Sequence, residues 1–209
     1  MRLDLLCCGV AALAVAASSA SAQLPPELQA FIRTPAHRAE IAASVRPYLA
    51  DVPSCQAATT RSVSVNIYTP PTFASDGSLT GGVFKENIKI DGCATSGALN
   101  ILTMFRPGAP PLVGMLLPGD THADIALQRD ALVSARALVA GKTPAGCGAL
   151  HVIDTHFDGY GEPVNADVPA GRDARQWRET WTFFSCGQQT AIHVDFFPTH
   201  TGTHFVAAF

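Results

Sequence analysis

The spacing of four cysteines is the feature that most restricts how this chain can fold. Cys55 lies 92 positions before Cys147, and Cys93 lies 93 positions before Cys186. Nearly equal offsets of this size are typical of an internal repeat, in which one structural unit is encoded twice. The cysteines therefore predict two similar units that follow each other in the chain.

Three further blocks match in the same order and at nearly the same offset. FKENIKIDGC, which begins at Phe84, aligns without a gap with WRETWTFFSC, which begins at Trp177. ALNILTMFRP resembles AIHVDFFP, and RAEIAASVRPYLADVPSC resembles RDALVSARALVAGKTPAGC. We therefore expect a tandem duplication, with a first repeat over residues 23–118 and a second repeat over residues 119–209.

Each repeat has the pattern of a helix followed by four strands. The helices are expected to start after Thr34-Pro35 and near Thr121, and to end before Pro47 and Gly141. Alternating apolar segments between turn residues predict strands near 62–69, 83–91, 98–105, 111–117, 150–157, 176–185, 189–197 and 203–208. The predicted fold class is α+β, with two copies of a helix plus a four-stranded antiparallel sheet.

A hairpin formed by the first two strands of each repeat would bring the cysteines of that repeat together. We therefore predict the disulfides Cys55–Cys93 and Cys147–Cys186, one in each repeat. Each closes a loop of about 39 residues, which stabilises a protein by roughly 3–4 kcal/mol in the chain-entropy model.

The start of the chain has the features of an export signal. Arg2 gives a basic start, an apolar run follows over 5–17, and small residues at 20–22 form a cleavage site. We expect a signal peptide over residues 1–22 and a mature protein that is periplasmic or secreted, in a Gram-negative bacterium. An even number of remaining cysteines agrees with an oxidising compartment.

Charge and hydropathy restrict the partners. The net charge is −3 and the chain has no basic stripe, which argues against nucleic acid as a partner. Beyond the signal, no segment is long and apolar enough to predict a membrane span. We therefore expect an envelope or extracellular protein as partner.

Glu86 and Glu179 lie at matching positions, each on the strand face that carries the large apolar residues. A residue needed in both repeats is expected to have a structural role, although a functional acid and an exposed glutamate are alternatives. Arginine pairs bidentately with a carboxylate, so a helix packed on the sheet would supply the partner. The candidate arginines occupy matching helix positions: Arg38, Arg46, Arg129 and Arg136.

Polar replacements distinguish the second repeat from the first. Small neutral polar side chains of the first repeat's opening strand are replaced by Asp154, His156 and Asp158. On the third strand, His193 and Asp195 stand where the first repeat has an asparagine and a leucine. These five residues are the candidate ligand-binding residues, since departures from a repeat mark places where function is added.

Three interpretations of these residues remain open. Histidine and carboxylate can bind Zn²⁺ with one position left for water, so a metal-assisted hydrolase that uses Asp154, His156, His193 and Asp195 is one alternative. A polar patch that faces a ligand and a plain solvated surface are the others. D-x-H-x-D is a pattern of low specificity, and H-E-x-x-H, G-x-S-x-G and phosphate-binding glycine loops are missing from the sequence. No catalytic residue, metal ligand or cofactor is therefore assigned.

The run W-x-E-x-W, then Cys186-Gly187, then VDFFPTHTGTHF resembles a signature of small, uncharacterised secreted proteins of proteobacteria. The resemblance covers the chain from Trp177 onward and implies export and a β-rich fold. The predicted topology also resembles that of the secreted β-lactamase-inhibitor proteins, whose tandem helix-plus-four-strand units form a concave sheet that grips another protein. The favoured interpretation is a non-catalytic exported binding protein that presents a sheet surface to a protein or small ligand.

Overall fold

The computed structural model of the protein describes residues 24–51, 59–91, 98–106, 108–163, 168 and 173–209. The predicted signal peptide and the predicted disulfide Cys55–Cys93 lie outside these residues. No helix within the described ranges is long and apolar enough to cross a membrane.

The first half, which we define as residues 24–118, contains two helices followed by a sheet. Its elements are α1 (Pro26–Ile32), α2 (Pro35–Asp51), β1 (Thr59–Phe73), β2 (Leu79–Asp91), β3 (Leu99–Phe105) and β4 (Leu112–Met115). The four strands are antiparallel and neighbour each other in chain order.

The second half, residues 119–209, contains one helix followed by a sheet of the same strand order. Its elements are α3 (Ile125–Ala140), β5 (His151–Pro163), β6 (Arg175–Ser185), β7 (Gln188–Pro198) and β8 (Thr203–Ala208). The α+β class and the two four-stranded antiparallel sheets are thus confirmed. The disulfide Cys147–Cys186 is also confirmed, with a Cα–Cα distance of 5.6 Å.

Two elements extend beyond their predicted ends at prolines. Helix α2 continues through Pro47, because Val45 and Tyr48 on either side are 1% and 3% exposed and pack in the core. This burial offsets the hydrogen bond that a proline removes from a helix. Strand β1 continues through Pro70-Pro71, which an edge strand tolerates because its outer N–H groups need no partner. The short helix α1 was not predicted.

The apolar core connects the two halves. Around Trp181 and Phe196, the inner face of the second sheet packs against α3. Ile153, on β5 of the second half, packs in a cluster that otherwise includes Ile41 and Ile88 of the first half. The Tyr48 hydroxyl on α2 also donates a hydrogen bond to the Ile153 carbonyl at 3.3 Å. The two sheets are therefore joined through β5 and α2.

The predicted arginine partners of the two buried glutamates are wrong. Glu86 and Glu179 are both fully buried, but Arg46 and Arg136 are exposed. The alternative partners Arg38 and Arg129 are exposed as well. None of the four arginines forms an ion pair with either carboxylate among the described residues.

The chain segments that enter the helices supply the partners instead. His37, in the first turn of α2, approaches Glu86 with an Nε2–Oε1 distance of 2.5 Å. Immediately before α3, the backbone N–H groups of His122 and Ala123 donate to Glu179 Oε1 at 2.8 and 3.3 Å. In both halves, the start of the helix therefore lies over the glutamate.

Candidate functional site

The five candidate residues lie on two strands that do not touch. Asp154, His156 and Asp158 are on β5, whereas His193 and Asp195 are on β7. Strand β6 separates them, because it pairs with both neighbours. Adjacent strands lie about 4.8 Å apart, so only side chains that lean across β6 can meet.

A bulge in β5 brings Asp158 into contact with β6. The register shifts between Phe157 and Gly159, so Asp158 has no partner of its own on β6. The Thr180 hydroxyl on β6 donates to Asp158 Oδ2 at 2.8 Å. His193 Nδ1 lies 3.2 Å from the same hydroxyl and 3.8 Å from Asp158 Oδ2. Thr180 thus connects the candidate residues of β5 and β7.

An ion pair extends this contact along the same face. Arg178 donates from Nε and from a terminal nitrogen to the two oxygens of Asp195, at 2.7 and 2.9 Å. The hydrogen bond to Asp195, followed by the charge of that carboxylate, raises the pKa of Arg178 above its ordinary value. We call these five side chains of one sheet face the polar row: Asp158, Thr180, His193, Arg178 and Asp195.

Asp154 and His156 do not join the polar row. His156 is exposed, and none of the row's hydrogen bonds involves it. Asp154 lies against Gly119, in the segment that leads from β4 to α3. Burial there raises the pKa of Asp154 above its ordinary value, although the backbone N–H of Thr155 and the charge of His156 act in the opposite direction. The structure therefore brings together three of the five candidate residues.

A cleft of about 380 Å³ adjoins the polar row. Arg178, Asp195 and Asp158 line it, and Tyr160 and Phe197 contribute aromatic surface. The ring of Tyr160 is 42% exposed. The cleft therefore offers both charged and aromatic contacts at one end of the sheet.

Other side chains hold Tyr160 in place. Its hydroxyl lies 3.1 Å from His122 Nδ1, and the His122 ring stacks on Phe157 with centroids 3.8 Å apart. The Arg175 guanidinium lies 3.8 Å from the centroid of the tyrosine ring. A ring contacted from several directions keeps one orientation and needs little further ordering when a partner binds.

The hydrogen-bond directions in the polar row follow from the donors that each group carries. The single hydrogen of the Thr180 hydroxyl goes to Asp158, so His193 must act towards Thr180 as a donor from Nδ1. Both oxygens of Asp195 accept hydrogen bonds from Arg178. These bonds hold the polar groups of the row in place on the exposed sheet face.

A zinc site, one of the alternatives that the sequence leaves open, would need the candidate residues to converge on one point. Within the described ranges, no three His, Cys, Asp or Glu side chains come together as metal ligands would. His156 and His193 lie on strands separated by β6, and Asp195 is occupied by Arg178. A tetrahedral zinc site needs three converging protein ligands at about 2 Å from the metal.

Sequence reasoning missed Arg178 and Thr180, although both lie in the strand that was predicted. Their signal is positional: they alternate with Trp177 and Glu179 and so face outward, between the two strands that carry the candidates. Cross-strand neighbours determine which exposed residues form a network, and these neighbours depend on the register.

Comparison with known proteins gives no match for this chain. No protein-family model, no curated protein and no solved structure matches it. The resemblances noted from the sequence therefore stay predictions.

Proposed function

We propose that this protein is a non-catalytic exported binding protein that recognises another protein through the polar row. The observation that carries the proposal is the continuous hydrogen-bonded connection from Asp158 through Thr180 to His193, beside the ion pair of Arg178 and Asp195, on an exposed sheet face. Side chains that are already ordered lose little entropy when a partner binds.

The composition of this surface favours a protein as the partner. The row carries both signs of charge, and the side chain of Arg178 is 54% exposed. Val206 on β8, which pairs with Asp195, is 56% exposed. Together with Tyr160 in the adjoining cleft, this gives arginine, tyrosine and apolar surface in one place, which is the composition of binding hot spots.

Export and duplication are part of the same proposal. The Cys147–Cys186 disulfide supports folding in an oxidising compartment such as the periplasm or the extracellular medium. Two sheets of identical strand order, each with a glutamate buried under the start of a helix, support a tandem duplication. In that case the first sheet preserves the ancestral scaffold, and the polar row is an addition to the second.

The test is affinity capture from the exported fraction of the source cells with immobilised protein and two matched variants. Arg178→Ala with Asp158→Ala removes charge from the polar row, whereas Arg61→Ala breaks the exposed pair Arg61–Asp91 of the first half. Exposed ion pairs contribute about 0–1 kcal/mol to stability, so each variant is expected to fold.

We expect one captured partner that binds the wild type and Arg61→Ala with equal affinity and binds the double variant Arg178→Ala/Asp158→Ala at least about tenfold more weakly. Titration with the purified partner should give the same ratio of dissociation constants. Equal binding of that partner to the double variant, or no saturable partner in the exported fraction, would contradict the proposal.

A further inference from the structure

A second cleft lies in the first half, between α2 and the edge strand β1, with a volume of about 400 Å³. Strand β1 is not covered on this side: Val63, which lines the cleft, is 58% exposed. Much of the wall is apolar and is formed by Leu24, Ile32, Ile41, Val63, Val65 and Ile88. The cleft thus has the size and lining of a small-molecule site.

Glu86 contributes a buried carboxylate to this cleft. Its side chain is fully buried, and Oε1 is bonded to His37 Nε2. Glu86 Oε2 is buried and has no hydrogen-bond partner among the described residues. Leaving a buried polar atom without a partner costs about 1–3 kcal/mol, so a native protein retains one when something else provides the missing donor.

Three arginines lie around the same cleft. Arg61 is within 3.5 Å of Asp91, but Arg33 and Arg38 have no carboxylate within ion-pair distance in the described part of the chain. All three are exposed. Their guanidinium groups are therefore available to an anion that enters the cleft.

The matching position of the second half shows that the fold does not require an open carboxylate oxygen. Glu179 Oε1 accepts from two backbone N–H groups and from Trp177 Nε1, and Oε2 accepts from Trp181 Nε1 at 2.8 Å. A strand that carries tryptophans closes this carboxylate completely. In the first half Phe84 and Ile88 stand at the tryptophan positions, and neither has a donor.

We propose that the first-half cleft binds a small amphipathic acid that carries a hydrogen-bond donor, that is, an amino acid or hydroxy acid with an apolar body. Its ammonium or hydroxyl group donates to Glu86 Oε2 once the side chains that cover this buried oxygen move aside, its apolar segment lies between Ile41 and Val65, and its anionic group pairs with Arg33 or Arg38. Each part of the ligand then meets a group of the cleft that the protein leaves unpaired or exposed.

The experiment is calorimetric titration of the full protein with 6-aminohexanoate, 6-hydroxyhexanoate and hexanoate. The three probes share the anion and the apolar chain and differ in the terminal donor. We expect saturable binding of at least one donor-bearing probe below about 10 mM, and binding of hexanoate at least about tenfold weaker. The stronger of the first two probes identifies the donor as ammonium or hydroxyl.

Four variants locate the site. Arg33→Ala with Arg38→Ala should weaken the donor-bearing probe at least about tenfold, while Arg129→Ala on α3 and Arg178→Ala in the polar row should leave it unchanged. Glu86→Gln should remove the preference for a donor over hexanoate. Arg33 and Arg38 are exposed, so the double arginine variant is expected to fold. It therefore tests the location of the site even if Glu86→Gln does not fold. No saturable binding of any probe, equal binding of hexanoate, or unchanged binding by the double arginine variant would overturn the inference.

Discussion

Glu86 and Glu179 lie on the second strands of the two sheets, each fully buried under the start of a helix, yet their carboxylates have different surroundings. Glu179 accepts four hydrogen bonds, which occupy both of its oxygens. Glu86 has one partner, His37, and one oxygen without a partner among the described residues. The matching position thus has both carboxylate oxygens bonded in the second half and one buried oxygen without a partner in the first.

The two halves also differ in how far a neighbouring chain segment covers the edge strand beside the glutamate. In the second half, the Thr155 hydroxyl on β5 donates to the Pro118 carbonyl at 2.6 Å, and the Asp120 N–H donates to the Thr155 carbonyl at 2.7 Å. This closing segment, residues 118–120, covers the edge strand β5. In the first half the edge strand β1 lines an open cleft instead. The unpartnered oxygen of the buried Glu86 thus lies beside an open cleft, as the proposed ligand site requires.

The largest expected effect is that of Glu179→Ala. The substitution leaves two backbone N–H groups and two indole N–H groups without an acceptor, which should lower the free energy of unfolding by about 4 kcal/mol. Thermal denaturation followed by circular dichroism should then show a decrease in Tm of about 8–16 °C. Glu162→Ala, at an exposed position of β5, is the control and should change little. A Tm of Glu179→Ala within about 2 °C of the wild type would show that Glu179 is not an anchor.

The closing segment is tested by Gly119→Ala. Gly119 has φ of +88°, and a Cβ there would collide with the backbone of Thr155 and with the Asp154 carboxylate. We expect a loss of about 3 kcal/mol in the free energy of unfolding, measured by urea denaturation. Gly108→Ala is the matched control, because φ of +73° is similar but nothing lies within 4 Å of the added Cβ. Its loss should be about 1 kcal/mol, and equal losses would contradict the close packing of this segment.

Glu86→Ala should destabilise the protein less than Glu179→Ala, because it leaves a single donor, that of His37, without its acceptor. We expect a loss of about 2 kcal/mol. In a double-mutant cycle with His37→Ala, the two losses should not add, since both substitutions break the same contact. Urea denaturation of the four proteins measures the coupling, and strict additivity would mean that the two side chains do not interact.

The fold was largely predictable because the matching sequence blocks, the alternation and the turn residues all indicate the same architecture. The pairing of Cys147 with Cys186 follows from the β5–β6 hairpin that the sequence predicts. The passage of α2 through Pro47 was not predictable, because it depends on tertiary burial of Val45 and Tyr48. Local signals describe where a helix is free to end, and packing decides where it does end.

The partners of the glutamates were harder to predict than their burial. Alternation places Glu179 on the apolar face, but it does not show that the two neighbouring indoles bend back to bond it. His37 gave only a weak signal, a histidine three residues after Thr34 at a helix start. Which group reaches a buried carboxylate depends on how the helix approaches the sheet, and this information is not local in the sequence.

The smallest expected effect concerns Asp154, beside the closing segment. Its pKa is raised by burial, so the folded state favours the protonated carboxyl. The stability that this group contributes is present below its ordinary pKa and is lost as the pH rises through the higher folded pKa. Asp154→Asn should therefore stabilise the protein at pH 7 by about 0.5 kcal/mol, or about 1–2 °C in Tm, and the gain should shrink towards pH 4.

Asp76→Asn, in the first half, should have the opposite sign. Hydrogen bonds from Ser78 hold the pKa of Asp76 below its ordinary value, so ionised Asp76 stabilises the folded state, and that stability is lost as the pH falls through the lowered pKa. Thermal melts of both variants from about pH 2 to pH 7 give the comparison, because the Asp76 contribution is lost only below its ordinary pKa. A gain for Asp154→Asn that is independent of pH would show that burial of its charge is not the cause.

The contrast between the Glu86 carboxylate, which has one unpartnered oxygen, and the fully bonded Glu179 carboxylate is measured most directly by ¹³C NMR of the glutamate side-chain carboxyl carbons during titration with the donor-bearing probe that binds more strongly, 6-aminohexanoate or 6-hydroxyhexanoate. We predict that the Cδ signal of Glu86 shifts saturably with the probe, with the same dissociation constant as calorimetry, while the Cδ signal of Glu179 does not move. A stationary Glu86 signal at saturating probe, or equal shifts of the Glu86 and Glu179 signals, would contradict the account.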